Sequence, residues 1–509
     1  MSSKKILGVP KEFFKLKKDK QDGTYLSNRG YAIDKTKFPE SIVNEIKNIL
    51  SVKPNVTPEL SHLEINKGFS VYRESSKKLY IPRAFGFSVF GEPKFCKRKK
   101  PVEIDVEFKG TLRETQIEAT DAFMNSCDDS GKRGGIISLQ CGGGKTCCAL
   151  YLIAKIGLKS LVIVHKDFLL TQWRERIKQF LPDARVGLIK ATKFDIEHKD
   201  IVLASLQSLS MKSFDEDAFE EFGLVAADEC HHLSAEVFSR ALPKVTVPYM
   251  LGLSATLNRK DGLRKVFEWY LGGVIYSKVR KDTNILVNMI EYFDNDRKYS
   301  KEHFMFVGGR QCVNRAKMIN NICDFEKRTK KILKIIYKVL DNEPERNVLL
   351  LSDRRNHLTN LKEMIEKDDK YNCGLYMGGM KEHELKESED KKIILGTFAI
   401  ASEGFDVPRL DTVVLASPKS DIEQSVGRVM RKKEEERDRP PLIIDMVDAF
   451  SVFKRQSEKR KKFYEKKQYK ITYQGKFDDN ATKELEQQLK SGDTFMIQDL
   501  GETLPTVNK

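Results

Sequence analysis

Two series of short apolar runs constrain the fold more strongly than any other feature of the sequence. Stretches with a helical spacing of apolar residues separate the runs from one another. Strands that alternate with helices are typical of a parallel sheet whose two faces are both covered. The pattern therefore predicts an α/β protein with two parallel-sheet domains in tandem. The runs of the first series are 135–139, 161–164, 201–204 and 224–227, and those of the second are 348–351, 393–395, 412–415 and 442–444.

Changes in composition predict four segments along the 509 residues. A basic cluster at 95–101 is interpreted as an exposed linker between domains. Near the end of the chain, residues 448–470 combine many cations with an apolar stripe, which predicts a basic C-terminal helix. The four segments are a small N-terminal accessory domain and candidate nucleic-acid-binding domain at 1–100, the two parallel-sheet domains at 101–280 and 281–475, and a polar tail at 476–509.

Charge and cysteine content narrow the class of protein. Lys and Arg number 90 against 74 Asp and Glu, a formal net charge of +16, which favours a polyanionic partner such as nucleic acid. The sequence has no run of about 18 apolar residues and predicts neither a membrane-spanning helix nor a membrane partner. Nine cysteines without a C-x-x-C pair argue against a disulfide framework or a four-thiolate zinc site. We therefore expect a soluble protein in a reducing compartment.

A glycine-rich segment predicts a phosphate-binding loop. Residues 139–146 read Leu-Gln-Cys-Gly-Gly-Gly-Lys-Thr, a shortened form in which Leu139 replaces the usual first glycine, and they precede a helix-compatible stretch. Glycines let backbone N–H groups turn toward a phosphate, a helix N-terminus and a lysine balance its charge, and a threonine hydroxyl can hold Mg²⁺. The alternative is a glycine-rich turn that merely precedes a helix. The candidate phosphate ligands are Gly142, Gly143, Gly144, Lys145 and Thr146, and Thr146 is also a candidate Mg²⁺ ligand.

An acidic pair, Asp228 and Glu229, follows the last apolar run of the first series. Carboxylates at the carboxyl end of a buried strand are costly unless they face a cation or a ligand. Asp228 is predicted to hold Mg²⁺, and Glu229 is predicted to orient and deprotonate the attacking water. The alternative is an acidic pair that caps the N-terminus of the next helix.

Taken in order, these segments resemble the motifs of a known family. Residues 144–146, 228–231 and 254–256 resemble motifs I, II and III of superfamily 2 helicases of the DExH type. Further matches extend the resemblance over residues 108–470. The clearest is Gln-Ser-Val-Gly-Arg-Val-Met-Arg at 424–431, which resembles motif VI and places two arginines on one helical face. The resemblance implies two RecA-like domains that grip ATP and Mg²⁺ between them.

The resemblance also implies roles for individual residues. Implied nucleotide contacts are Arg113, Gln116, Gly404 and Asp406. Implied catalytic residues, besides Asp228 and Glu229, are Gln424 and the arginine fingers Arg428 and Arg431. Residues implied to couple the nucleotide state to movement are His231, Ser254 and Thr256, and implied nucleic-acid contacts are Arg174, Gln207 and Thr397.

Two further segments narrow the resemblance to one branch of the family. Residues 252–262, with their Arg-x-Asp-Gly extension, and residues 81–86 are similar to the branch that contains the translocase XPB, phage UvsW and the poxvirus transcript-release helicases. Length and layout resemble most closely the African swine fever virus member. The branch implies DNA as the favoured nucleic acid, a role in viral transcription or in replication and repair, and RNA polymerase or other transcription factors as partners. For a viral protein it also implies the host cytoplasm and the virion as locations.

Other interpretations stay open at this point. An RNA helicase would carry the same motifs, because contacts to phosphates do not distinguish the two nucleic acids and a 2′-hydroxyl contact is not visible in a sequence. A non-catalytic nucleic-acid scaffold and a P-loop kinase are two further classes, although a kinase does not explain residues 424–431. Arg83 and Phe85 belong either to a turn that packs on its own domain or to a duplex contact.

Overall fold

The computed structural model describes residues 21–54, 68–130, 133–140, 142–230, 235–255, 262–278, 284–307, 310–403, 407–427 and 437–475. The chain divides into two compact units, Met1–Arg280 and Lys281–Lys509. Each unit contains a large, mainly parallel sheet with helices packed on it, which confirms the predicted α/β class. Within the described ranges, no helix has the length and apolar character needed to cross a bilayer.

The first unit begins with a small mixed sheet and two helices, here called the N-terminal module (residues 21–54 and 68–100). Its elements are β1 (Gln21–Ser27), β2 (Gly30–Asp34), α1 (Glu40–Ile49), β3 (Ser51–Val52), β4 (Phe69–Ser70), β5 (Arg73–Glu74), β6 (Lys78–Ile81), α2 (Arg83–Phe90) and β7 (Pro93–Cys96). The strand order is β5-β6-β2-β1-β7, and only β1 and β7 pair in parallel.

An eight-stranded sheet makes up the rest of the first unit. Its strand order is β11-β10-β12-β9-β13-β14-β8-β15, and all neighbours are parallel except β10 and the edge strand β11. The elements are α3 (Glu114–Ser130), β8 (Gly134–Leu139), α4 (Lys145–Ile156), β9 (Ser160–Val164), α5 (Asp167–Phe180), β10 (Val186–Lys190), β11 (Lys193–Asp195), β12 (Ile201–Ser205), α6 (Leu206–Met211), β13 (Leu224–Ala227), α7 (Ala235–Ala241), β14 (Tyr249–Ser254), α8 (Arg264–Leu271) and β15 (Val274–Lys278).

Strand β9 shows why its sequence is apolar without interruption. Leu161 and Ile163 lie in a core that this sheet shares with the N-terminal module, whereas Val162 and Val164 lie in a second core with residues of α3, α4 and α5. Successive side chains of a strand point to opposite faces. Both faces of the strand are therefore buried, as expected for a parallel sheet between two layers.

Helix α2 joins the N-terminal module to this sheet and is buried along its whole length. A Cβ on Gly86 would lie 2.2 Å from Cγ of Tyr31, so the helix lies directly on β2. On its other side, the ring of Phe85 meets the ring of Trp269 in α8 edge-on, with centroids 5.8 Å apart. Arg83 is only 4% exposed. The segment is thus a buried helix rather than a turn, and Phe85 packs inside its own unit, whereas a duplex contact by Arg83 stays a prediction.

The predicted exposed linker at 95–101 is also wrong in part. Its first two residues belong to strand β7. Arg98 donates hydrogen bonds to the backbone carbonyl oxygens of Phe219, Glu220 and Phe222, at 3.5, 3.3 and 3.3 Å. These contacts tie the segment to the first unit, because a guanidinium group can bind several carbonyl oxygens at once.

The second unit is built on a seven-stranded, fully parallel sheet of order β20-β21-β19-β22-β23-β16-β24. A short antiparallel hairpin, β17-β18, is separate from it. The elements are β16 (Leu286–Tyr292), α9 (Arg297–Ser300), β17 (Phe304–Val307), β18 (Arg310–Val313), α10 (Arg315–Asp324), α11 (Glu326–Asn342), β19 (Val348–Ser352), α12 (Arg355–Asp368), β20 (Cys373–Tyr376), α13 (Glu382–Glu389), β21 (Ile393–Thr397), α14 (Phe398–Glu403), β22 (Thr412–Leu415), α15 (Glu423–Gly427), β23 (Leu442–Asp448), α16 (Ser451–Lys466) and β24 (Lys470–Gln474).

The predicted basic helix at 448–470 is α16, which is shorter at both ends because Asp448 ends β23 and Lys470 begins β24. Its apolar stripe is buried at Phe453 and Tyr464. One of its cations, Arg460, is buried as well and forms an ion pair with Asp445 at 2.8 Å. Part of the helix's positive charge is therefore directed into the protein rather than toward solvent.

A second buried ion pair lies at the centre of this unit. The guanidinium group of Arg328 in α11 donates to both carboxylate oxygens of Asp448, at 2.7 and 2.8 Å, and to the carbonyl oxygen of Ala416 at 2.7 Å. The hydroxyl of Tyr299 donates to the same carboxylate at 2.8 Å. Neither charged side chain is exposed to solvent. The pair connects α11 to β22 and β23, so its loss would affect three elements.

Replacing Arg328 with Met should destabilise the second unit by about 3–5 kcal/mol, because Asp448 would stay buried without its cation. Urea unfolding of the full chain, with hydrogen exchange of peptides from β23, measures this effect. The matched control is Lys386→Met, which removes an exposed ion pair with Glu382 and should cost less than about 1 kcal/mol. Equal losses in the two variants would contradict the importance of the buried pair.

Candidate active site

The predicted phosphate loop lies between β8 and α4. Gly142 and Gly144 have φ angles of 78° and 81°, a left-handed conformation that side chains other than glycine rarely adopt. Between them, the N–H group of Gly143 donates to the carbonyl oxygen of Gln140 at 3.0 Å, which closes a tight turn. A Cβ on Gly144 would lie 1.9 Å from Nε2 of Gln116. The loop therefore needs glycine both for its turn and for its close approach to a neighbouring side chain.

Lys145 is the first residue of α4, and only 9% of its side chain is exposed. Its ammonium group donates to the carbonyl oxygen of Leu139 at 3.3 Å and forms an ion pair with Glu229 at 3.0 Å. Thr146 follows on the helix and is partly buried. The cation is thus held at the end of β8, beside the loop that the three glycines form.

Glu229 connects the ends of three neighbouring strands. It lies two residues beyond β13, and its Oε1 pairs with Lys145 beyond β8. Its Oε2 accepts a hydrogen bond from the N–H group of Ala255, which follows Ser254 at the end of β14, at 3.3 Å. The φ angle of Glu229 is 45°, which for a residue other than glycine costs on the order of 1–3 kcal/mol. Strain of this kind is often found at functional sites.

Asp228 is almost completely buried beside this pair. One carboxylate oxygen accepts from the N–H group of Glu229 at 2.9 Å, and the other accepts from Nε1 of Trp173 at 2.8 Å. Burial, and after it the negative charge of Glu229, raise the pKa of Asp228 to about 6, although the Lys145 cation and the Trp173 hydrogen bond oppose them. A further cation nearby would stabilise the charged form of this carboxylate, as expected for a residue that binds a metal ion. The alternative role of the pair, a cap of the next helix, stays open because residues 231–234 lie outside the described ranges.

Trp173 is a site residue that the sequence does not identify. Its indole is 1% exposed on α5 and reaches Asp228, a residue 55 positions away. The segment that ends at Trp173 resembles a helicase motif, but the resemblance does not single out the indole. A hydrogen bond between two distant side chains leaves no local pattern, so no signal in the sequence points to this pairing.

Two of the implied nucleotide contacts lie beside the phosphate loop. Gln116 is 4% exposed on α3, and its Oε1 accepts from the N–H group of Arg113 at 2.8 Å. Its amide nitrogen faces Gly144. Arg113 is exposed, one residue before the helix begins. The structure therefore places both residues next to the loop, where a nucleotide base could be reached.

The predicted nucleic-acid contacts lie on both units. Arg174 is exposed on α5, and Gln207 is exposed at the second position of α6, directly after β12. Thr397 is partly buried as the last residue of β21 in the second unit. Gln207 and Thr397 lie at the carboxyl ends of strands, which is the side where α/β proteins bind ligands, whereas Arg174 lies about two turns into α5.

Several predicted site residues lie outside the described ranges, so their roles stay predictions. Ser254 is described and is 1% exposed at the end of β14. Gln424 is on α15, and its side chain is outside the description. The other residues outside it are His231, Thr256, Gly404, Asp406, Arg428 and Arg431.

Known proteins share these features. Residues 109–259 match the family described as Type III restriction enzyme, res subunit, and residues 329–433 match the helicase conserved C-terminal domain. A protein of Acanthamoeba polyphaga mimivirus, named as a candidate ATP-dependent RNA helicase, is 35% identical over 458 residues, which cover 88% of this chain and 86% of that protein. The chain belongs to the superfamily 2 helicases. It is accordingly a nucleic-acid-dependent ATPase.

Two further comparisons refine this result. An African swine fever virus protein, also named as a candidate ATP-dependent RNA helicase, is 27% identical over 66% of this helicase and 69% of its own length. The expected closest likeness to that virus is not confirmed, because the mimivirus protein is more similar. A structure of a variant of S. cerevisiae Dbp5 bound to RNA and ADP BeF3 has a TM-score of 0.50 and 13% identity, and covers 74% of this chain and 93% of its own. It supports the fold alone.

The residues around Lys145 fit a nucleoside triphosphate with Mg²⁺. The N-terminus of the 12-residue helix α4 and the ammonium group suit phosphate oxygens. The Thr146 hydroxyl and the Asp228 carboxylate are the oxygen donors that Mg²⁺ prefers. Bound Mg²⁺ neutralises charge on the phosphates. In that state Lys145 would pair with phosphate instead of Glu229, and the Glu229 carboxylate would then take a proton from the attacking water.

Glu229→Gln should abolish hydrolysis without abolishing ATP binding. Glutamine keeps the shape of the side chain but cannot take a proton, so turnover should fall about 10²–10⁴-fold. Lys145→Ala removes the cation that balances the phosphates and should weaken ATP binding itself about 10–100-fold. Phosphate release and equilibrium binding of a fluorescent ATP analogue measure the two effects. Loss of ATP binding in Glu229→Gln would contradict these roles.

Trp173→Phe should weaken Mg²⁺ use, because Asp228 loses the donor that orients it. We expect the Mg²⁺ concentration for half-maximal turnover to rise about 10–100-fold. The chain has two tryptophans, so Trp269→Phe, in the buried contact with Phe85, is a matched control that should leave the Mg²⁺ dependence unchanged. An equal shift in both variants would show that only packing matters.

Proposed function

We propose that this helicase is a DExH-type, ATP-dependent translocase or helicase that acts on DNA. The observation that supports the proposal most directly is the position of Glu229 between Lys145 and the N–H group of Ala255. Phosphates bound at Lys145 would replace one partner of this carboxylate and alter its hold on the segment that follows Ser254. The nucleotide state would thereby be coupled to residues 254–256, which resemble motif III.

We infer that the second unit completes the ATP site. Gln424, Arg428 and Arg431 would act on the γ-phosphate, and Gly404 and Asp406 would lie near the nucleotide. The pattern Gln-x-x-Gly-Arg-x-x-Arg and the match of residues 329–433 to the helicase C-terminal domain support this inference. Cationic side chains stabilise the charge of the transferred phosphoryl group, so binding and hydrolysis would change how the two units engage one another.

Arg428→Ala and Arg431→Ala should each lower turnover about 10³–10⁵-fold, the range known for arginine fingers, while ATP binding changes far less. Single-turnover hydrolysis and nucleotide binding separate the two effects. Arg455→Ala, at an exposed position of α16, is the control for loss of one positive charge. Turnover within twofold of the control for both variants would exclude the composite site.

DNA is the proposed track because residues 252–262 and 81–86 resemble the branch that contains XPB and UvsW. Arg174, Gln207 and Thr397 are the proposed contacts to its phosphates. RNA is the second candidate, and the names of the mimivirus and African swine fever virus relatives favour it. Both relatives are viral, which supports a role in viral transcript release, or in replication and repair, with RNA polymerase as a partner in the host cytoplasm.

Phosphate release should be stimulated more strongly by DNA than by RNA of the same sequence. Single-stranded and double-stranded forms of each, at one salt concentration, give the comparison, and Glu229→Gln gives the background. Tailed duplexes of both polarities then show whether strands separate. Stimulation by RNA alone would overturn the choice of DNA. Absence of stimulation by every nucleic acid tested would overturn the proposed function.

A further inference from the structure

A cleft of about 210 Å³ lies within the first unit, between the N-terminal module and the large sheet. Strands β5 and β6 form one wall, and helix α7 with Tyr270 of α8 forms the other. At about 30 Å³ per water molecule this is the volume of about seven waters, which is enough for a phosphate group and part of the attached sugar. Apart from Arg83, for which a duplex contact was one of two interpretations, none of the individually predicted nucleotide or nucleic-acid contacts is among the described residues that line it.

Positively charged side chains outnumber negatively charged ones in this cleft. Among the described residues that line it, the charged ones are four arginines, namely Arg29, Arg73, Arg83 and Arg240, and one carboxylate, Glu236. Arg240 pairs with Glu236 on its own helix, and Arg29 pairs with Glu216 outside the cleft. The groups that line the cleft therefore carry a net positive charge, which attracts an anion.

Burial and neighbouring cations together lower the pKa of two basic groups at this cleft. The ammonium group of Lys244 donates to the carbonyl oxygens of Leu209, Ser210 and Lys212, at 2.8, 3.0 and 2.6 Å. Its pKa is lowered by burial and, after that, by the charge of Arg73. Burial lowers the pKa of Arg83 to about 9, and the charges of Arg133 and Arg98 act in the same direction. An anion bound here would oppose only the part of each shift that neighbouring cations cause.

Aromatic rings lie beside the arginines. Arg73 on the edge strand β5 is directly opposite Tyr80 on β6. The guanidinium group of Arg29 lies 5.6 Å from the centroid of the Tyr80 ring. Tyr72 and Phe69 add two partly buried rings to the same wall. Cations next to accessible aromatic rings are the combination that binds single-stranded nucleic acid, through phosphates and stacked bases.

The walls of the cleft are held in place before any ligand binds. Phe85 packs on Trp269, and the carboxylate of Glu220 forms an ion pair with Lys99 at 2.8 Å. Tyr270 is buried, and its hydroxyl donates to the carbonyl oxygen of Ser239 at 3.5 Å. These contacts hold the backbone of the two walls in place, which favours affinity because less reordering is needed on binding.

We propose that this cleft binds one nucleotide unit of a single-stranded nucleic acid, with Arg73 contacting its phosphate and the rings of Tyr72 and Tyr80 next to its base. The cleft is a second contact with the strand, separate from Arg174, Gln207 and Thr397. The inference rests on the proposed function only because it requires that the protein binds a nucleic-acid strand. A free nucleotide has the same chemistry, so the experiment includes it as a separate arm.

Arg73 is exposed and lies at a sheet edge, so its substitution should not affect folding. Fluorescence anisotropy of a labelled oligothymidylate with the full chain, over a range of salt concentrations, measures affinity and salt dependence. Arg73→Ala should weaken binding about tenfold, and Arg73→Glu should weaken it further. The slope of log affinity against log salt should fall by about 0.7, the value for one phosphate contact on a single strand. Thermal melting checks that the variants fold.

Lys77→Ala and Lys77→Glu are the matched controls, because Lys77 is exposed in the same module and does not line the cleft. They should change affinity less than twofold. Equal effects at both positions would overturn the proposal in favour of general attraction by charge. Binding of thymidine monophosphate that Arg73→Glu abolishes, with strand binding unchanged, would assign the cleft to a free nucleotide and overturn it too. ATP turnover without nucleic acid should be the same in all four variants.

These outcomes separate the cleft from the proposed function. If wild-type protein binds the strand and the strand stimulates its ATP turnover, but the Arg73 variants match the Lys77 variants, only the cleft proposal fails. If wild-type protein shows neither strand binding nor stimulation, both proposals fail.

Discussion

The order of the strands in the first sheet is the constraint on which the ATP site depends. Strands β13, β14 and β8 are neighbours and run in parallel, so the loops that follow them meet at one edge of the sheet. Residues more than 100 positions apart, such as Lys145 and Ala255, can then contact the same carboxylate of Glu229. The chemistry of the site follows from this topology, because no single loop carries all of its groups.

The arrangement of the site lowers the stability of the folded protein. Asp228 and Glu229 place two carboxylates side by side at the end of a buried strand, and Glu229 has a strained backbone. Lys145 and the indole of Trp173 offset part of the cost. Buried charges and strain of this kind persist where surrounding structure holds them in place. A ligand that brings cations to the carboxylates and anions to Lys145 would satisfy all of these groups together.

Much of the fold could be predicted from the sequence because both sheets are covered on two faces. The apolar runs at 224–227 and 412–415 correspond to β13 and β22 with the same bounds. Strand β16 was not predicted because polar residues such as Asn288 interrupt its pattern, and helix α2 was not predicted because it is apolar on all sides.

In the site, the glycines, the lysine and the acidic pair could be predicted because each forms a pattern of neighbouring residues in the sequence. The hydrogen bond from Trp173 to Asp228 forms none, because packing alone brings the two side chains together.

The core that the N-terminal module shares with the large sheet determines how far the chain can be shortened. Phe85 of the module belongs to one continuous apolar cluster with Ile163 of β9, Phe238 of α7 and Trp269 of α8. A chain shortened to begin at residue 101 would expose the α8 side of that cluster to water and would tend to aggregate. The module and the large sheet are therefore parts of one folded unit.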